Sequence, residues 1–275
     1  MARTLLDGYP LVGIGTIAEL ADRSQVSSPT VLRLVARLGF GTFGDFQRVL
    51  LEEIEARLAT AAISFDAGSA AVEHDLAGTV LREAADSIVA DLRSLAPGEL
   101  NNVVCLLVGA RSVVSVGGWL TRSFADLFCD ELQLLRPRCK SLGSAVEASG
   151  SDLLEMGRRD VVVAFDARPY THTGPAEQLC AWARRRGARV ILFTDVWLSP
   201  ISKQASHVLV SRTSSSSPFD SYASMLALME AVLASVASEL GEGARRRMAE
   251  CEALSDGWAW DPPDLTTRSQ PTEHS

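Results

Sequence analysis

The sequence predicts a small helical domain followed by a larger α/β domain that is built on a doubly wound parallel sheet. Two patterns lead to this fold class. In residues 16–58, apolar positions recur at helical spacing, which predicts short helices with one apolar face each. From residue 112 on, short runs of Val, Ile and Leu alternate with helical stretches. Apolar strands that alternate with helices are typical of a parallel sheet covered on both faces.

Composition narrows the functional classes. Of the 275 residues 47% are apolar and 22% are charged, which is typical of a globular protein. The net charge of -8 excludes a uniformly basic coat for nucleic acid, but it leaves room for a local basic patch. Five cysteines without a CxxC pair argue against a disulfide framework or a zinc site. We therefore expect reduced thiols, no metal and no cofactor.

The apolar stretches predict no membrane segment. Residues 103–120 are interrupted by Arg111 and by glycines, while residues 222–237 include Glu230 and are too short to cross a bilayer. The N-terminus has no continuous apolar run and carries Pro10, so it does not resemble a signal peptide. The expectation is a cytoplasmic protein.

Residues 16–40 have the outline of a helix-turn-helix. Apolar spacing predicts helices at 17–21, 31–38 and 43–54, and a short turn separates the first two. Between residues 23 and 48 four arginines and one acid give a local charge of +3. This pattern suits DNA binding, although a helical hairpin with solvated arginines would show the same periodicity.

The second of these helices begins with polar residues. Ser27 or Ser28 can cap it, and Pro29 suits its first turn, where a missing N–H costs nothing. Ser28, Thr30 and Arg33 would then face outward. Hydroxyl and guanidinium groups suit phosphates and base edges in a major groove.

The segment between the two domains is predicted to contain a long helix. Residues 61–69 are small and weakly patterned, as in a linker, and apolar residues at steps of three to four from Val72 to Leu95 predict an amphipathic helix. The predicted divisions are 1–60 for the helix-turn-helix domain, 61–98 for the linker and connecting helix, 99–241 for the α/β domain, and 242–275 for a helix end and a disordered tail.

The second half is predicted to contain five strands. They lie at 112–116, 139–142, 161–165, 190–194 and 207–211, with helices at about 121–135, 175–187 and 220–240. The carboxyl ends of parallel strands meet at one edge of the sheet, where doubly wound folds bind their ligands. Because the loops at 117–123, 166–173 and 211–217 follow the first, third and fifth strands, we expect them to border one crevice.

The loop after the first strand begins with Gly117 and Gly118. Glycines let the main chain approach a ligand, and the N-terminus of the helix that follows can hold an anion. A tight turn from strand to helix also needs glycine, so both interpretations remain open.

Sequence motifs in the N-terminal region add to the evidence from helical periodicity. Four motifs are present: Thr-Ile-Ala-Glu-Leu-Ala at 16–21, Val-Ser-x-x-Thr-Val-x-Arg at 26–33, Arg-Leu-Gly-Phe at 37–40 and Gly-x-Phe-x-x-Phe at 41–46. Together they resemble the N-terminal domain of RpiR-type (MurR/RpiR) bacterial transcriptional regulators. The resemblance implies a helix-turn-helix that binds double-stranded operator DNA. The expected DNA-binding residues are Ser27, Ser28, Thr30, Arg33 and Arg37.

One departure from that family concerns the first helix. Only residues 1–12 precede the matching block, and residues 5–10 resemble the end of a helix that is longer in the family. Its loss would remove cover from a small core. If the helix is missing, Ile17, Leu20, Val31 and Leu34 would be exposed; the alternative is that translation starts upstream of Met1.

Residues 100–240 resemble a SIS (sugar isomerase) domain, the usual partner of this helical domain in the same family. The resemblance implies a flavodoxin-like fold, a homodimer or homotetramer, and a small-molecule effector that is a sugar phosphate or a sugar-like metabolite. The residues expected to bind the effector are Gly117, Gly118, Thr121, Ser123, Asp166, Arg168, Tyr170, Thr171 and Thr173.

The loop after the third strand departs from phosphosugar-binding SIS domains, which usually carry Ser-x-Ser-Gly-x-Ser/Thr there. Asp166 replaces the first serine and Arg168-Pro169 replaces Ser-Gly. A carboxylate repels phosphate unless Arg168 neutralises it, and the guanidinium could also meet an anionic ligand directly. Asp-x-Arg-x-Tyr resembles a variant within the regulator family. An ion pair between Asp166 and Arg168 that only fixes the loop is the alternative.

Three functions are compatible with these features. The expected one is a DNA-binding transcriptional regulator that is not an enzyme and has no catalytic residues. The second is a sugar-phosphate isomerase-like enzyme, for which Glu177 and His172 are the acid/base candidates near the loops. The third is a degenerate SIS module that dimerises without a ligand.

Overall fold

The computed structural model describes residues 4–5, 13–58, 75–144, 154–168 and 173–256, with only the backbone at 52–58, 143–144 and 255–256. The chain divides into two compact units. The first comprises residues 1–74 and 217–219, and the second comprises residues 75–216 and 220–275.

The first unit contains the three predicted helices, α1 (Ile17–Arg23), α2 (Ser28–Arg37) and α3 (Phe43–Leu58). Helix α1 begins at Ile17 because Thr16 and Glu19 form a capping box. Thr16 Oγ1 accepts a hydrogen bond from Glu19 N at 3.2 Å, and Glu19 Oε2 accepts one from Thr16 N at 2.6 Å. The predicted helical N-terminal region is confirmed.

The core of the first unit covers the residues that a missing first helix would expose. Leu20 and Val31 are 0% exposed, and Ile17 and Leu34 are partly buried against the same cluster. The exposure predicted for a missing helix is therefore not observed at these four residues. Leu5 and the phenylalanines of α3 belong to this cluster and supply the cover.

The predicted side-chain cap of α2 is also wrong. Ser27 occupies the N-cap position, but its hydroxyl makes no capping hydrogen bond. Ser27 Oγ instead lies 3.0 Å from Thr30 Oγ1. Pro29 stands in the first turn, as predicted.

The second unit has the predicted α/β character. In chain order its elements are α4 (Leu76–Ser94), α5 (Glu99–Gly109), β1 (Ser112–Gly117), α6 (Arg122–Leu135), β2 (Cys139–Ser144), β3 (Asp160–Phe165), α7 (Thr173–Arg185), β4 (Arg189–Asp195), a 3-10 helix (Pro200–Lys203), β5 (His207–Ser211), α8 (Ala223–Leu240) and α9 (Glu242–Asp256). Each of the five predicted strands overlaps an observed strand.

All neighbouring strands of the sheet are parallel, in the order β2-β1-β3-β4-β5. This is the flavodoxin-like order, in which the direction of winding reverses between β1 and β3. The predicted doubly wound sheet is therefore confirmed. The reversal places the loops after β1 and β3 side by side.

Both faces of the sheet are covered. On one face Phe128, Phe165 and Phe193 join residues of α5 and α8 in one core cluster. On the other face Leu192 and Ile201 pack with residues of α7. Strand β3 is buried along its whole length because it lies in the middle of the sheet, which explains its unbroken apolar run.

Two helices differ from the sequence prediction. Helix α5 is absent from the predicted elements because its apolar run leads directly into β1, and periodicity does not separate short apolar helices from strands. Helix α8 stops at Gly241, whose φ is +54°. A separate helix, α9, follows where a helix end and tail were expected.

Helix α8 is long and apolar enough to cross a membrane by length and composition alone. The expectation that this stretch is too short is therefore wrong. Met225, Met229, Val232 and Val236 of α8 are fully buried in the core cluster against the sheet. One face of α8 thus packs as part of the core, and 33% of the helix is buried.

Candidate ligand site and candidate nucleic-acid interface

The loops after β1 and β3 are joined at the reversal point of the sheet. Gly118 N donates a hydrogen bond to Phe165 O at 3.0 Å. A Cβ on Gly117 would lie 2.6 Å from the main chain of Arg122, and a Cβ on Gly118 would lie 2.8 Å from Asp166 Oδ1. Gly117 is required by the tight passage from β1 to α6, whereas a side chain at Gly118 would force the carboxylate of Asp166 to move.

Thr121 is buried, and its hydroxyl is engaged inside the protein. Thr121 Oγ1 donates to Phe165 O at 2.6 Å and accepts from Gly118 N at 2.9 Å. The amides of Arg122 and Phe124, in the first turn of α6, donate to main-chain carbonyl oxygens. The predicted anion site at this helix N-terminus would therefore have to compete with existing hydrogen bonds.

Asp166 is buried just after β3. Its carboxylate accepts a hydrogen bond from Thr173 Oγ1 at 3.0 Å and another from the hydroxyl of Ser199. Burial raises the pKa of Asp166 to about 6, and the charges of Asp195 and Glu177 add to the rise, whereas the two hydroxyl hydrogen bonds oppose it. The carboxyl group of Asp166 therefore changes its charge close to neutral pH.

Arg168 is held by two other carboxylates. Its guanidinium lies 3.1 Å from Asp220 Oδ1 and 3.8 Å from Asp195 Oδ2, and its main-chain N donates to Asp195 Oδ2 at 2.9 Å. The guanidinium also lies over the ring of Trp197, 5.1 Å from its centre. The alternative of an ion pair between Asp166 and Arg168 is therefore wrong, because both residues are engaged by other partners.

Two hydroxyls beside this cluster have no hydrogen-bond partner within the described part of the chain. Ser211 Oγ and Thr213 Oγ1 belong to residues that are 0% and 1% exposed. Ser211 ends β5 and stands in register with Asp195 at the end of β4. Burial of a hydroxyl without a partner costs free energy. At this edge of the sheet, these two hydroxyls could therefore form hydrogen bonds with a ligand.

The structure brings only part of the predicted effector set together. One group consists of Gly118, Thr121, Asp166 and Thr173, which lie close together. Arg168 lies instead with Asp195 and Asp220. Ser123 is exposed on α6. Tyr170, Thr171 and the acid/base candidate His172 lie outside the described residues.

Several residues of the site were missed by sequence reasoning. Asp195 ends a strand, and the same end-of-strand rule that selected Asp166 could have found it. Ser199, Asp220 and Tyr222 follow no pattern in the sequence. Tyr222 Oη donates to Arg168 O at 2.7 Å, and burial raises the pKa of Tyr222 to about 12.

The predicted DNA-binding residues lie on α2 or at its N-cap. Ser27, Ser28, Arg33 and Arg37 are exposed and Thr30 is partly buried. An Arg33 guanidinium nitrogen donates to Thr30 Oγ1 at 3.2 Å. Neither arginine forms an ion pair with any residue that the structure describes.

The described residues contain no group of three or more His, Cys, Asp or Glu side chains that could hold a metal ion. The hydroxyls and carboxylates at the sheet edge suit an organic ligand that carries several polar hydrogens.

Residues 106–235 match the profile of the SIS domain family. This segment is a SIS domain. The predicted SIS domain is thus confirmed, and its position covers β1 to β5 with the loops described above. The SIS domain places Asp166, Arg168 and Asp195 at the carboxyl edge of the sheet.

Two solved structures show the same fold. The sugar isomerase domain of the RpiR transcription factor from Sphaerobacter thermophilus is 22% identical, with a TM-score of 0.59, over 66% of this chain and 99% of that one. The Vibrio vulnificus NanR protein, solved with ManNAc-6P, is 18% identical, with a TM-score of 0.59, over 94% of this chain and 92% of that one. No curated protein matches the sequence.

Proposed function

We propose that this protein is a transcriptional regulator that binds double-stranded DNA through α2 and senses a sugar-like metabolite through its SIS domain. The observation that carries the DNA-binding part is on α2, where Arg33 bonds the hydroxyl of Thr30, and Arg33 and Arg37 are exposed without an ion pair among the described residues. On a chain of net charge -8 such a basic patch suits phosphate and base contacts. The similar structure from Sphaerobacter thermophilus is a transcription factor.

In this proposal Thr30 and Arg33 contact base edges, and Arg37, with Ser27 and Ser28, contacts phosphates. Residues 1–60 form the DNA-binding domain, and residues 99–241 form the effector-binding domain. A protein that acts on DNA in a bacterium works in the cytoplasm. The SIS domain acts as a sensor and not as an enzyme.

The DNA-binding proposal is tested with a duplex selected by the full-length protein from a random-sequence pool. Fluorescence anisotropy then compares the selected duplex with a scrambled one. Arg33→Ala should reduce the ratio of the two affinities by about tenfold, because a bidentate arginine contact contributes about 1–3 kcal/mol of discrimination. The control is Arg82→Ala, which removes an exposed arginine of α4 and should leave the ratio unchanged. A wild-type ratio for Arg33→Ala would refute the role of Arg33.

We also propose that the protein is a homodimer or a homotetramer. One helix reads only a few base pairs, so two half-sites about one helical turn apart are needed for a specific site. Light scattering at micromolar concentration checks this state. A monomer with full sequence-specific affinity would contradict it.

A further inference from the structure

The charge at the sheet edge is unbalanced. Asp166 follows β3, Asp195 ends β4 and Asp220 precedes α8. The guanidinium of Arg168 contacts Asp195 and Asp220. Arg168 already has two carboxylate partners and an aromatic ring beneath it. Among the described residues, the three carboxylates therefore carry more negative charge than this one guanidinium balances.

Other cations near the crevice do not restore the balance. Arg122, at the start of α6, pairs with Asp126 of its own helix, and Arg212, after β5, bonds Asp91. The segments 145–153 and 169–172, which follow β2 and β3, contain no lysine or arginine in the sequence. A phosphate group with a charge of about -1.5 to -2 would therefore meet mainly negative charge here.

A second observation points to a ligand at the same place. The buried hydroxyls of Ser211 and Thr213 lack a partner within the described ranges. Ser211 pairs in register with Asp195, and residues in register on neighbouring parallel strands share one face of the sheet. A ligand with several polar hydrogens beside Asp195 would supply the hydrogen bonds that these hydroxyls lack.

We propose that the sheet edge that carries Asp166, Asp195, Asp220 and Ser211 binds the protonated amine of a polyhydroxylated ligand, such as an amino sugar, in preference to a sugar phosphate. An ammonium group donates up to three hydrogen bonds, and carboxylates accept them as strong, charge-assisted bonds. The ligand hydroxyls then bond Ser211 and Thr213. This inference rests on the proposed sensor function and specifies its ligand class.

The test uses the full-length protein and four probe sets: hexosamines, their N-acetyl forms, the parent hexoses and the hexose 6-phosphates. Calorimetric titration measures the affinity of each probe at about pH 7, where an amine of this type is largely protonated. A hexosamine should bind at least about tenfold more tightly than its N-acetyl form and than the corresponding hexose 6-phosphate. The N-acetyl form has lost the positive charge, and the hexose 6-phosphate carries a negative charge instead. Tighter binding of a 6-phosphate, or no binding of any hexosamine, would overturn the proposal.

Variants separate the ligand class from the fold and from the function. Asp220→Asn and Asp166→Ser should each weaken hexosamine binding, and Asp166→Ser should also raise the affinity for a hexose 6-phosphate. Asp130→Asn, which is exposed on α6, is the control and should leave both affinities unchanged. If hexosamines bind but no duplex is bound, the regulator function fails while the ligand class stands. If DNA binds but no hexosamine does, the ligand class fails.

Discussion

Asp91 of α4 and Arg212, which follows β5, are joined by two hydrogen bonds although 121 residues separate them in the chain. Asp91 Oδ2 accepts from Arg212 N at 2.7 Å, its other oxygen accepts from the guanidinium, and Ser224 Oγ donates to Oδ2 at 2.6 Å. Two turns earlier, Glu83 accepts from Ser216 N at 2.7 Å. The segment after β5 is thus attached to α4 at two points.

Replacing Asp91 should loosen this attachment. Asp91→Ala leaves the buried hydroxyl of Ser224 and the amide of Arg212 without their acceptor, so we expect a loss of about 2–4 kcal/mol in the free energy of unfolding. Urea denaturation measures it. The control is Asp86→Ala, an exposed site on the same helix, which should stay within about 0.5 kcal/mol of wild type. Equal losses in both variants would contradict the role of Asp91.

The stability of the SIS domain should depend on pH through Asp166. Its pKa is raised to about 6 by burial, so the folded state takes up a proton at a higher pH than the unfolded state does. The contribution of this group to stability therefore rises as the pH falls from about 7 towards 4. Asp166→Asn should gain melting temperature relative to wild type at pH 7.5, and the gain should shrink at pH 5. A constant difference across this range would show that Asp166 does not titrate there.

Gly117 should not tolerate a side chain. A Cβ there would lie 2.6 Å from main-chain atoms of α6, so Gly117→Ala should destabilise the protein by at least about 2 kcal/mol. Gly109→Ala is the matched control, because no atom lies within 4 Å of its added Cβ. That change should be neutral or stabilise helix α5 by up to about 1 kcal/mol. Thermal melts of the two variants should therefore move in different directions, and similar melts would argue against the close contact.

If α2 binds DNA, Arg37 should contribute mainly electrostatic affinity. Arg37→Ala should weaken binding to selected and scrambled duplexes alike, and should lower the slope of log affinity against log salt by about 1, since one phosphate contact is lost. Arg82→Ala serves again as the control. A selective loss on the selected duplex alone would make Arg37 a base-reading residue and not a phosphate contact.

Local sequence patterns were enough to predict most elements of the SIS domain, but not helix α5. The strands ending at Gly117 and Phe165 were predicted nearly to the residue, because burial leaves an apolar run in the sequence itself. Helix α5 was missed because its apolar run merges with that of β1. The burial of Leu20 depends on cover from α3 and Leu5, which the spacing of α1 does not reveal.

Local sequence patterns were sufficient to predict the fold class, the order of the five strands along the chain, and the loops that contain Gly117 and Asp166. The partners of these residues became known only from the folded structure. Arg168 bonds Asp220 from 52 residues away, and Ser199 bonds Asp166 from 33 residues away. The physical reason is that burial periodicity is a local property of the chain, whereas hydrogen-bond partners depend on which strand ends the sheet places side by side.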